Sequence, residues 1–368
     1  MRRYIWQDPE WPALQVDLGS LASLLDDARK RQFAFLGALF MAPGEQQLES
    51  VVANITDSAV DSSEIEGERL DPSAVRSSVA RRLGAPHVAI RVDDRTEGVV
   101  DMTLDATRDY DTKLTRERLC SWQAGLFPTQ VGEQPLPWAG NYRTAADEPM
   151  QIVSGPMGRE RVHYEAPPAK SVPPMMSDFL DWFGRSRDKE NGLVRAALAH
   201  LWFETIHPFI DGNGRIGRAI ADMALAQDEK TPDRFYSLSA QIAKDRNAYY
   251  DALQSAQHGS LDVTAWVRWF VDALVSAIGD AQRTVNRARK VAQFWEMHRS
   301  YPFNTRQRQV LWAILGDFEG DLNLRKYVAI SKAPRATAQR DLAQLVESGV
   351  LESTGQGKAT HYLLKDNG

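Results

Sequence analysis

The 368-residue chain has one cysteine, no long apolar run and no excess of basic residues. Because Cys120 stands alone, no disulfide can form within the chain, and an unreactive core thiol is expected there. No stretch approaches the ~18 apolar residues of a membrane helix, and the first residues lack the apolar segment of a signal peptide. These absences lead us to expect a cytoplasmic protein with no membrane partner. The net charge of −5 excludes a general polyanion binder, although one local basic patch is compatible with it.

Hydrophobic residues make up 43% of the chain and charged residues 25%, the balance of a folded globular protein with two or three domains. Apolar residues recur at helical spacing and no long period repeats, so a mainly α fold is expected and a solenoid is excluded. Strands at 150–153 and 161–165 are expected to form a hairpin through a Gly-Pro turn at 155–158. Helices are expected at about 20–39, 45–66, 72–83, 98–126, 175–186, 191–205, 215–227 and 240–257, with a pair at 262–299.

The last ~65 residues follow a different order, helix, helix, turn, helix and hairpin, which is that of a winged helix. A helix at 335–348 and its neighbours carry basic side chains, and Thr337 and Gln339 could reach phosphates or bases, with Lys358 on the wing. DNA contact, dimerisation and target docking all stay open for this region. Its basic residues between 323 and 340 are Arg325, Lys326, Lys332, Arg335 and Arg340.

One segment, His-Pro-Phe-Ile-Asp-Gly-Asn-Gly-Arg-Ile-Gly-Arg at 207–218, has the chemistry of a phosphate-transfer site. Gly212 and Gly214 open a helix, where unpaired backbone N–H groups and the helix dipole attract an anion. Arg215 and Arg218 are three residues apart, so both guanidinium groups can bind a polyphosphate from one side of the helix. The pattern therefore predicts that the tail of a nucleotide binds here.

Three further side chains of the segment supply the remaining chemistry. Asp211 is a hard oxygen ligand placed to hold a Mg²⁺ ion that bridges phosphates. Asn213 can donate to a phosphate oxygen, and His207, with a pKa near neutrality, can take the proton of an attacking hydroxyl. A lone Gly-Asn-Gly turn or a lone histidine is usually structural, but the joint pattern favours nucleotidyl or phosphoryl transfer.

The segment resembles the motif of the Fic family, H-x-F-x-(D/E)-G-N-G-R-x-x-R, at every defined position. The resemblance implies a Fic helical bundle with a β-hairpin flap, and transfer of AMP from ATP to a Ser, Thr or Tyr hydroxyl of a protein. It implies His207 as the general base and Asp211 as the ligand of Mg²⁺, or of Mn²⁺ in its place. The related Doc kinases, which transfer a phosphoryl group, differ from the motif at the glycine that Gly214 matches here. The resemblance therefore favours AMP transfer, while other nucleotides and phosphocholine stay open as the transferred group. The residues implied to contact ATP are Gly212, Asn213, Gly214, Arg215, Ile216, Gly217 and Arg218, with Tyr249 near the adenine.

The hairpin lies about 40–55 residues before His207, where Fic proteins have a flap. The resemblance implies that its second strand, at Val162, His163 and Tyr164, pairs with a target segment through main-chain hydrogen bonds. An ordinary surface hairpin is the alternative interpretation.

A second resemblance concerns residues 62–67, Ser-Ser-Glu-Ile-Glu-Gly, which are similar to the family's inhibitory motif, (S/T)-x-x-x-E-(G/N). Ser62 and Glu66 are four residues apart and share one helical face, and Gly67 completes the motif. The resemblance implies that Glu66 pairs with Arg218 and occupies the position of the γ-phosphate. The opening residues at 4–12 also resemble the N-terminal domain often joined to such proteins in bacteria.

These observations predict an N-terminal helical region at 1–97, a catalytic domain at 98–290 and a winged-helix domain at 300–368. The predicted function is an autoinhibited protein AMP-transferase that modifies itself or a protein target. Two alternatives remain: a hydrolase that removes AMP, with Glu66 positioning water, and a DNA-binding regulator with a Fic body. The complete set of loop residues favours an enzyme, while the target and the formation of a homodimer stay open.

Overall fold

The computed structural model of the chain is mainly helical over the residues that it describes, which confirms the expected fold class. The predicted turn at 155–158 and the predicted wing residue Lys358 lie outside the described residues. Within the described part of the chain, no helix is long and apolar enough to cross a membrane. The described residues are 3–128, 136–154, 161–316, 318, 320–356 and 360–365.

The chain divides into two compact units between Ala281 and Gln282. The first unit contains a two-stranded antiparallel sheet of β1 (Gln151–Ser154) and β2 (Arg161–Glu165). Its helices are α1 (Leu18–Phe40), α2 (Gly44–Ile65), α3 (Pro72–Arg82), α4 (Asp94–Arg108), α5 (Arg116–Leu126), α6 (Val172–Arg185), α7 (Gly192–Ile206), α8 (Asn213–Glu229), α9 (Leu238–Lys244), α10 (Arg246–His258) and α11 (Thr264–Met297), in which the division falls.

Three of the predicted helical stretches differ from the structure. The stretch at 98–126 is two helices, α4 and α5, because the Thr115 side chain caps the start of α5. The stretch at 240–257 is likewise divided into α9 and α10, since the Asp245 carboxylate caps α10. In the opposite sense, the pair expected at 262–299 is the single helix α11. The two capping residues resemble ordinary exposed polar positions in the sequence, which is why these breaks were not predicted.

Helices α7 and α8 form the centre of the first unit. Every residue of α7 is buried, and α8 is buried from Asn213 to Gln227 except at Gly214. Helices that are apolar on most faces belong inside a bundle, and here α2 and α4 pack on α8 while α6 packs on α7. The loop between α7 and α8 carries the segment that begins at His207, so this segment is presented from a rigid core.

Helix α2 brings the predicted inhibitory residues to the start of α8. The helix buries an apolar face, on which Val52 and Ala59 are fully excluded from solvent. The helix ends at Ile65, and Gly67 follows with a φ of +82°, a conformation that costs glycine little. This turn places Glu66 beside α8, although the two residues are far apart in the sequence.

Aromatic residues near the N-terminus support the hairpin of β1 and β2. The Tyr4 ring packs edge-on against Tyr164, with 5.2 Å between centroids, and the Trp6 indole N–H donates to the Glu165 carbonyl at 2.9 Å. The two strands are antiparallel, with an irregular register between Ile152 and Val153. The hairpin is therefore held from one side by residues 4–6.

The second unit has its own apolar core, which includes Val310, Leu311, Tyr327 and Leu345. The predicted order of elements is confirmed, whereas DNA contact, the winged-helix class and the domain boundaries stay predictions. On the helix at 335–347 the side chains of Arg335, Gln339 and Arg340 are exposed. After the end of α11, the elements are α12 (Thr305–Leu315), α13 (Leu324–Ser331), α14 (Arg335–Glu347), β3 (Leu351–Thr354) and β4 (His361–Leu364).

The close crossing of α4 and α5 generates a prediction about stability. A Cβ atom built on Gly98 would lie 1.9 Å from the Gly125 carbonyl oxygen. We expect Gly98→Ala to force the helices apart and to lower the free energy of unfolding by about 1–3 kcal/mol. Unfolding by denaturant measures this change in the free energy of unfolding. Gly37→Ala on α1 is the control, because a Cβ there meets no atom within 4 Å, and equal effects of the two variants would contradict the prediction.

Candidate active site

His207 lies at the end of α7 in a left-handed backbone conformation, with φ 51° and ψ 61°. This conformation is uncommon for a residue with a side chain and persists where the surroundings enforce it. The enforcing group is Arg143, whose Nε donates to the His207 carbonyl at 2.8 Å and whose Nη2 donates to the Ile206 carbonyl at 3.3 Å. Arg143 is a site residue that sequence reasoning missed, because it lies more than sixty positions away in an irregular segment.

The loop after His207 is braced from within. Phe209 is fully buried and packs edge-on against Tyr142, so it anchors the loop in the core. The Asn213 side chain accepts from the Phe209 N–H at 3.0 Å and donates to the Phe209 carbonyl at 2.8 Å. In this structure the oxygen and nitrogen of the Asn213 amide both hold the loop closed. The expected bond from Asn213 to a phosphate oxygen stays a prediction.

The start of α8 is shaped to bind an anion, and the carboxylate of Glu66 lies there. Gly212 precedes the helix with a φ of +88°, a conformation that favours glycine. A Cβ atom on Gly214 would lie 2.0 Å from Oε1 of Glu66, so only glycine leaves room for this carboxylate. A negative group at a helix N-terminus is favourable because it meets unpaired N–H groups and the positive end of the dipole.

Arg218 joins the start of α8 to the end of α2. Its Nε donates to the Ser62 hydroxyl at 2.9 Å, and its Nη2 donates to the Ser62 carbonyl and to Glu66 Oε1, both at 2.8 Å. The residue is 2% exposed. Burial opposes its charge, but the charge and hydrogen bond of the Glu66 carboxylate, together with Tyr249 and Glu204, raise the pKa of Arg218. The predicted grouping of Ser62, Glu66 and Arg218 is present in the structure.

The first arginine of the segment is also paired with a carboxylate from the N-terminal region. Nη1 of Arg215 donates to Glu68 Oε2 at 2.7 Å, and its guanidinium lies 5.2 Å from the centroid of the Phe127 ring. Glu68 was not singled out from the sequence. The sequence gives only a weak signal for it, since an acidic residue three positions after a helix end is usually solvated. Both arginines predicted to bind phosphates therefore carry an acidic partner in this structure.

The side chain of His207 is positioned to act as a base. It is 11% exposed, and its Nδ1 lies 3.7 Å from Oε2 of Glu204, one turn earlier on α7. Burial lowers the pKa of His207 to about 4, and the charge of Arg143 adds to this effect. The imidazole is thus neutral at pH 7 and able to accept a proton. The expected near-neutral pKa was wrong because the sequence does not show how deeply the ring is buried.

A cavity of about 820 Å³ opens beside His207 and Glu66. Tyr249, predicted to lie near an adenine, lines it and is 1% exposed; its hydroxyl lies 2.9 Å from Nε2 of His200. Tyr250, which was not singled out, lies beside Tyr249, and its hydroxyl donates to the Ile65 carbonyl at 3.3 Å. The other lining residues include Ile152, Val153, His163, Tyr164, Glu204, Gly214, Asn247 and Gln254.

The three predicted flap residues have different surroundings. Val162 pairs with Val153 in the hairpin, and the backbone carbonyl of His163 accepts from Gln254 at 3.3 Å. Tyr164 is buried, and its hydroxyl donates to the Thr205 carbonyl at 2.6 Å. The Tyr164 side chain therefore anchors the hairpin to the end of α7. Pairing of a target with the hairpin backbone stays a prediction.

Asp211 is the exposed carboxylate of the loop, with 60% of its side chain accessible. Its Oδ1 accepts from the Gly212 N–H at 2.6 Å. Among the described residues, no group of three or more metal-binding side chains occurs. A single accessible carboxylate beside a phosphate-binding helix end suits Mg²⁺, which takes most of its ligands from substrate phosphates and water. Asp211 therefore fits the predicted metal ligand.

Comparison with known families agrees with this geometry. Residues 113–225 match the model of the Fic/DOC family, a range that includes the complete segment at 207–218. The chain contains a Fic/DOC family domain. Residues 4–85 match a model described as a domain of unknown function (DUF4172). This range includes α2 with Ser62, and Glu66 directly after it. The Fic/DOC domain thus follows a separately recognised N-terminal region.

Two curated relatives each match about a quarter of this chain. A probable protein adenylyltransferase from Aquifex aeolicus (strain VF5) is 29% identical over 100 residues, which are 27% of this chain and 28% of the relative. The protein adenylyltransferase Fic from Nematostella vectensis is 35% identical over 108 residues, 28% of this chain and 23% of the relative. The chain therefore spans about a quarter of the length of these relatives.

A similar architecture extends well beyond the Fic/DOC domain in one solved structure. The match to the crystal structure of a Fic family protein from Desulfovibrio desulfuricans G20 covers 97% of this chain and 97% of that protein's chain, with a TM-score of 0.52 and 22% sequence identity. At this identity the likeness shows a common fold.

Proposed function

We propose that this protein is an autoinhibited AMP-transferase that moves AMP from ATP to a Ser, Thr or Tyr hydroxyl of a protein. The observation that carries the proposal is the position of the Glu66 carboxylate, bonded to Arg218 at 2.8 Å and lying over Gly214. A helix N-terminus with two buried arginines suits the oxygens of a nucleotide tail, and here carboxylates of the same chain occupy those groups. The relatives named protein adenylyltransferase also support it.

ATP in the transfer state has its phosphates at the start of α8 and its base in the adjoining cavity. Arg218 binds the terminal phosphate, Arg215 binds the phosphate chain, and the adenine lies near Tyr249. Asp211 would hold Mg²⁺, whose positive charge would offset that of the phosphate oxygens. This arrangement requires each arginine to exchange its acidic partner for a phosphate.

The transfer step uses the neutral imidazole of His207. The imidazole takes the proton of the acceptor hydroxyl as the hydroxyl oxygen attacks the α-phosphorus of ATP. The bond between the α-phosphorus and the oxygen that bridges to the β-phosphate breaks, and pyrophosphate leaves. Backbone N–H groups at Gly212 to Gly214 stabilise the negative charge on the α-phosphate oxygens.

Inhibition follows from competition between anions. While Glu66 remains on Arg218, the terminal phosphate has no partner there, and the two negative groups repel each other. ATP can then bind only with its phosphates displaced, so that the α-phosphorus is not in line with the hydroxyl. The Glu68–Arg215 pair is a second contact of the same kind, so the end of α2 and the residues after it act together.

The hairpin supplies the place for the target segment. Ile152, Val153 and His163 line the same cavity as His207, so a chain paired with the hairpin would present a side chain near the base. Tyr164 and Trp6 hold the hairpin to the body of the first unit. The hairpin and His207 would act in the same way whether the acceptor hydroxyl belongs to this protein or to another one.

We expect Glu66→Gly to increase AMP transfer by about tenfold or more, since each ~1.4 kcal/mol removed from the barrier gives a factor of ten. The measurement is labelling of protein by α-labelled ATP with Mg²⁺. Arg218→Ala in the same background should reverse the gain, because the group that ATP recovers is then missing. Glu64→Gly is the matched control: it removes an exposed acidic side chain from the same helix end without touching Arg218.

Two results would contradict the inhibitory role of Glu66. One is transfer by Glu66→Gly that is no faster than that of the unaltered chain, towards itself and towards a target. The other is slower removal of AMP from a labelled target by the same variant, which would support the hydrolase alternative.

We expect His207→Ala to decrease labelling by about 10²–10⁴-fold in the Glu66→Gly background, the usual contribution of a general base. ATP binding, followed by calorimetry, should be retained because the imidazole supplies proton transfer rather than nucleotide affinity. His87→Ala, at an exposed position on a different part of the unit, should leave labelling unchanged. Full labelling by His207→Ala would remove this residue from the mechanism.

A further inference from the structure

Glu204 lies one helical turn before His207 and faces the same cavity. Its side chain is 4% exposed, and its Oε2 is 3.7 Å from Nδ1 of His207. Nothing in the sequence motif singles out this residue, because it precedes the segment that begins at His207. Its chemistry is nevertheless that of a group that orients an imidazole.

Each of the two side chains has one buried polar atom that remains unsatisfied, although the oxygen that faces Nδ1 of His207 is Oε2 of Glu204. Nδ1 of His207 and Oε1 of Glu204 have no hydrogen-bond partner. Buried polar atoms without partners are rare in native proteins, and those at functional sites commonly belong to an interaction that forms in another state. A movement of about 1 Å would close the 3.7 Å separation to an ordinary hydrogen bond.

The neighbouring helix leaves space for the Glu204 carboxylate. A Cβ atom on Gly217 would lie 2.6 Å from Oε1 of Glu204 and 3.4 Å from Cε1 of His200. Gly217 stands between the two arginines of the phosphate-binding segment, at a position that the family motif leaves undefined. The absence of a side chain at Gly217 therefore leaves room for the Glu204 carboxylate of α7 beside α8.

The charge state of Glu204 depends on several groups. Burial, together with the negative charge of Glu66, raises the pKa of Glu204 to about 8, although the positive charge of Arg218 opposes the increase. Loss of Glu66 removes one of the causes that raise this pKa, so ionisation then occurs at lower pH. The titratable groups that face Glu204 from the surrounding elements are Glu66 on α2, His200 and His207 at α7, Arg218 on α8, Tyr249 on α10 and Tyr164 on β2.

We propose that Glu204 is a positioning residue for His207: its carboxylate accepts the Nδ1–H of the imidazole and so leaves Nε2 free to take the proton of the acceptor hydroxyl. This inference rests on the proposed function. When Nε2 receives that proton, the imidazolium is stabilised by the ionised carboxylate, and the proton passes to solvent after pyrophosphate has left. Glu204 itself touches neither ATP nor the acceptor.

The decisive variant is Glu204→Gln in the Glu66→Gly background, because glutamine keeps the size and an acceptor oxygen but cannot ionise. We expect the maximal transfer rate to fall by about tenfold or more, because a charge-assisted hydrogen bond to the imidazolium is replaced by a weaker neutral one, with the KM for ATP unchanged. The rate of Glu66→Gly should rise with pH below pH 8 as Glu204 ionises, and this rise should disappear in the double variant. Asp222→Asn, at a buried carboxyl paired with Arg234, is the control and should keep the pH-dependent rise.

A second readout does not depend on activity. In ¹⁵N-labelled protein, the resonances of His207 should show the Nδ1–H tautomer in Glu66→Gly and in its Glu204→Gln derivative, and a mixture of tautomers in Glu204→Met. An unchanged tautomer in Glu204→Met, or an unchanged rate and pH profile in Glu204→Gln, would overturn the inference. Inactivity of Glu66→Gly itself would instead count against the proposed function.

Discussion

The ion pair between Glu66 and Arg218 is the interaction on which the rest of this site depends. A guanidinium that is 2% exposed requires a negative partner, because leaving one charge of a buried pair uncompensated costs about 3–5 kcal/mol. Two anions can satisfy Arg218: the carboxylate at the end of α2 and the phosphate tail of a nucleotide. Under the proposed function, these two anions exclude each other at Arg218, and the position of one helix end decides between them.

The surrounding structure makes this exchange local. Helices α7 and α8 are buried, and Arg143 and Asn213 hold the loop between them, so the base and the anion-binding groups keep their places. Glu66 and Glu68 instead approach from the end of α2, and Glu66 is 29% exposed. A partly exposed carboxylate leaves a buried arginine more readily than the arginine can move. Activation therefore requires displacement of a short segment rather than rearrangement of the core.

Much of this site could be predicted from the sequence, for physical reasons that differ between residues. Ser62 and Glu66 are separated by one helical turn, and the residues from His207 to Arg218 lie on one loop and helix, so local spacing and the family resemblance were sufficient. Arg143, Glu68 and Glu204 were missed because their roles arise from contacts that the chain makes only after folding. Local sequence also failed to show the burial that lowers the pKa of His207, the bracing bonds of Asn213 and the cap at Asp245 that divides α9 from α10.

The account depends most on the claim that Glu66 and the terminal phosphate of ATP compete for one guanidinium. The most direct measurement is a crystal structure of Glu66→Gly with Mg²⁺ and an ATP analogue that cannot be cleaved between the α- and β-phosphates. The account predicts that Arg218 binds the terminal phosphate and that the α-phosphorus lies within reach of an acceptor held beside Nε2 of His207. A terminal phosphate bound away from Arg218, with the guanidinium still held only by Ser62, would contradict it.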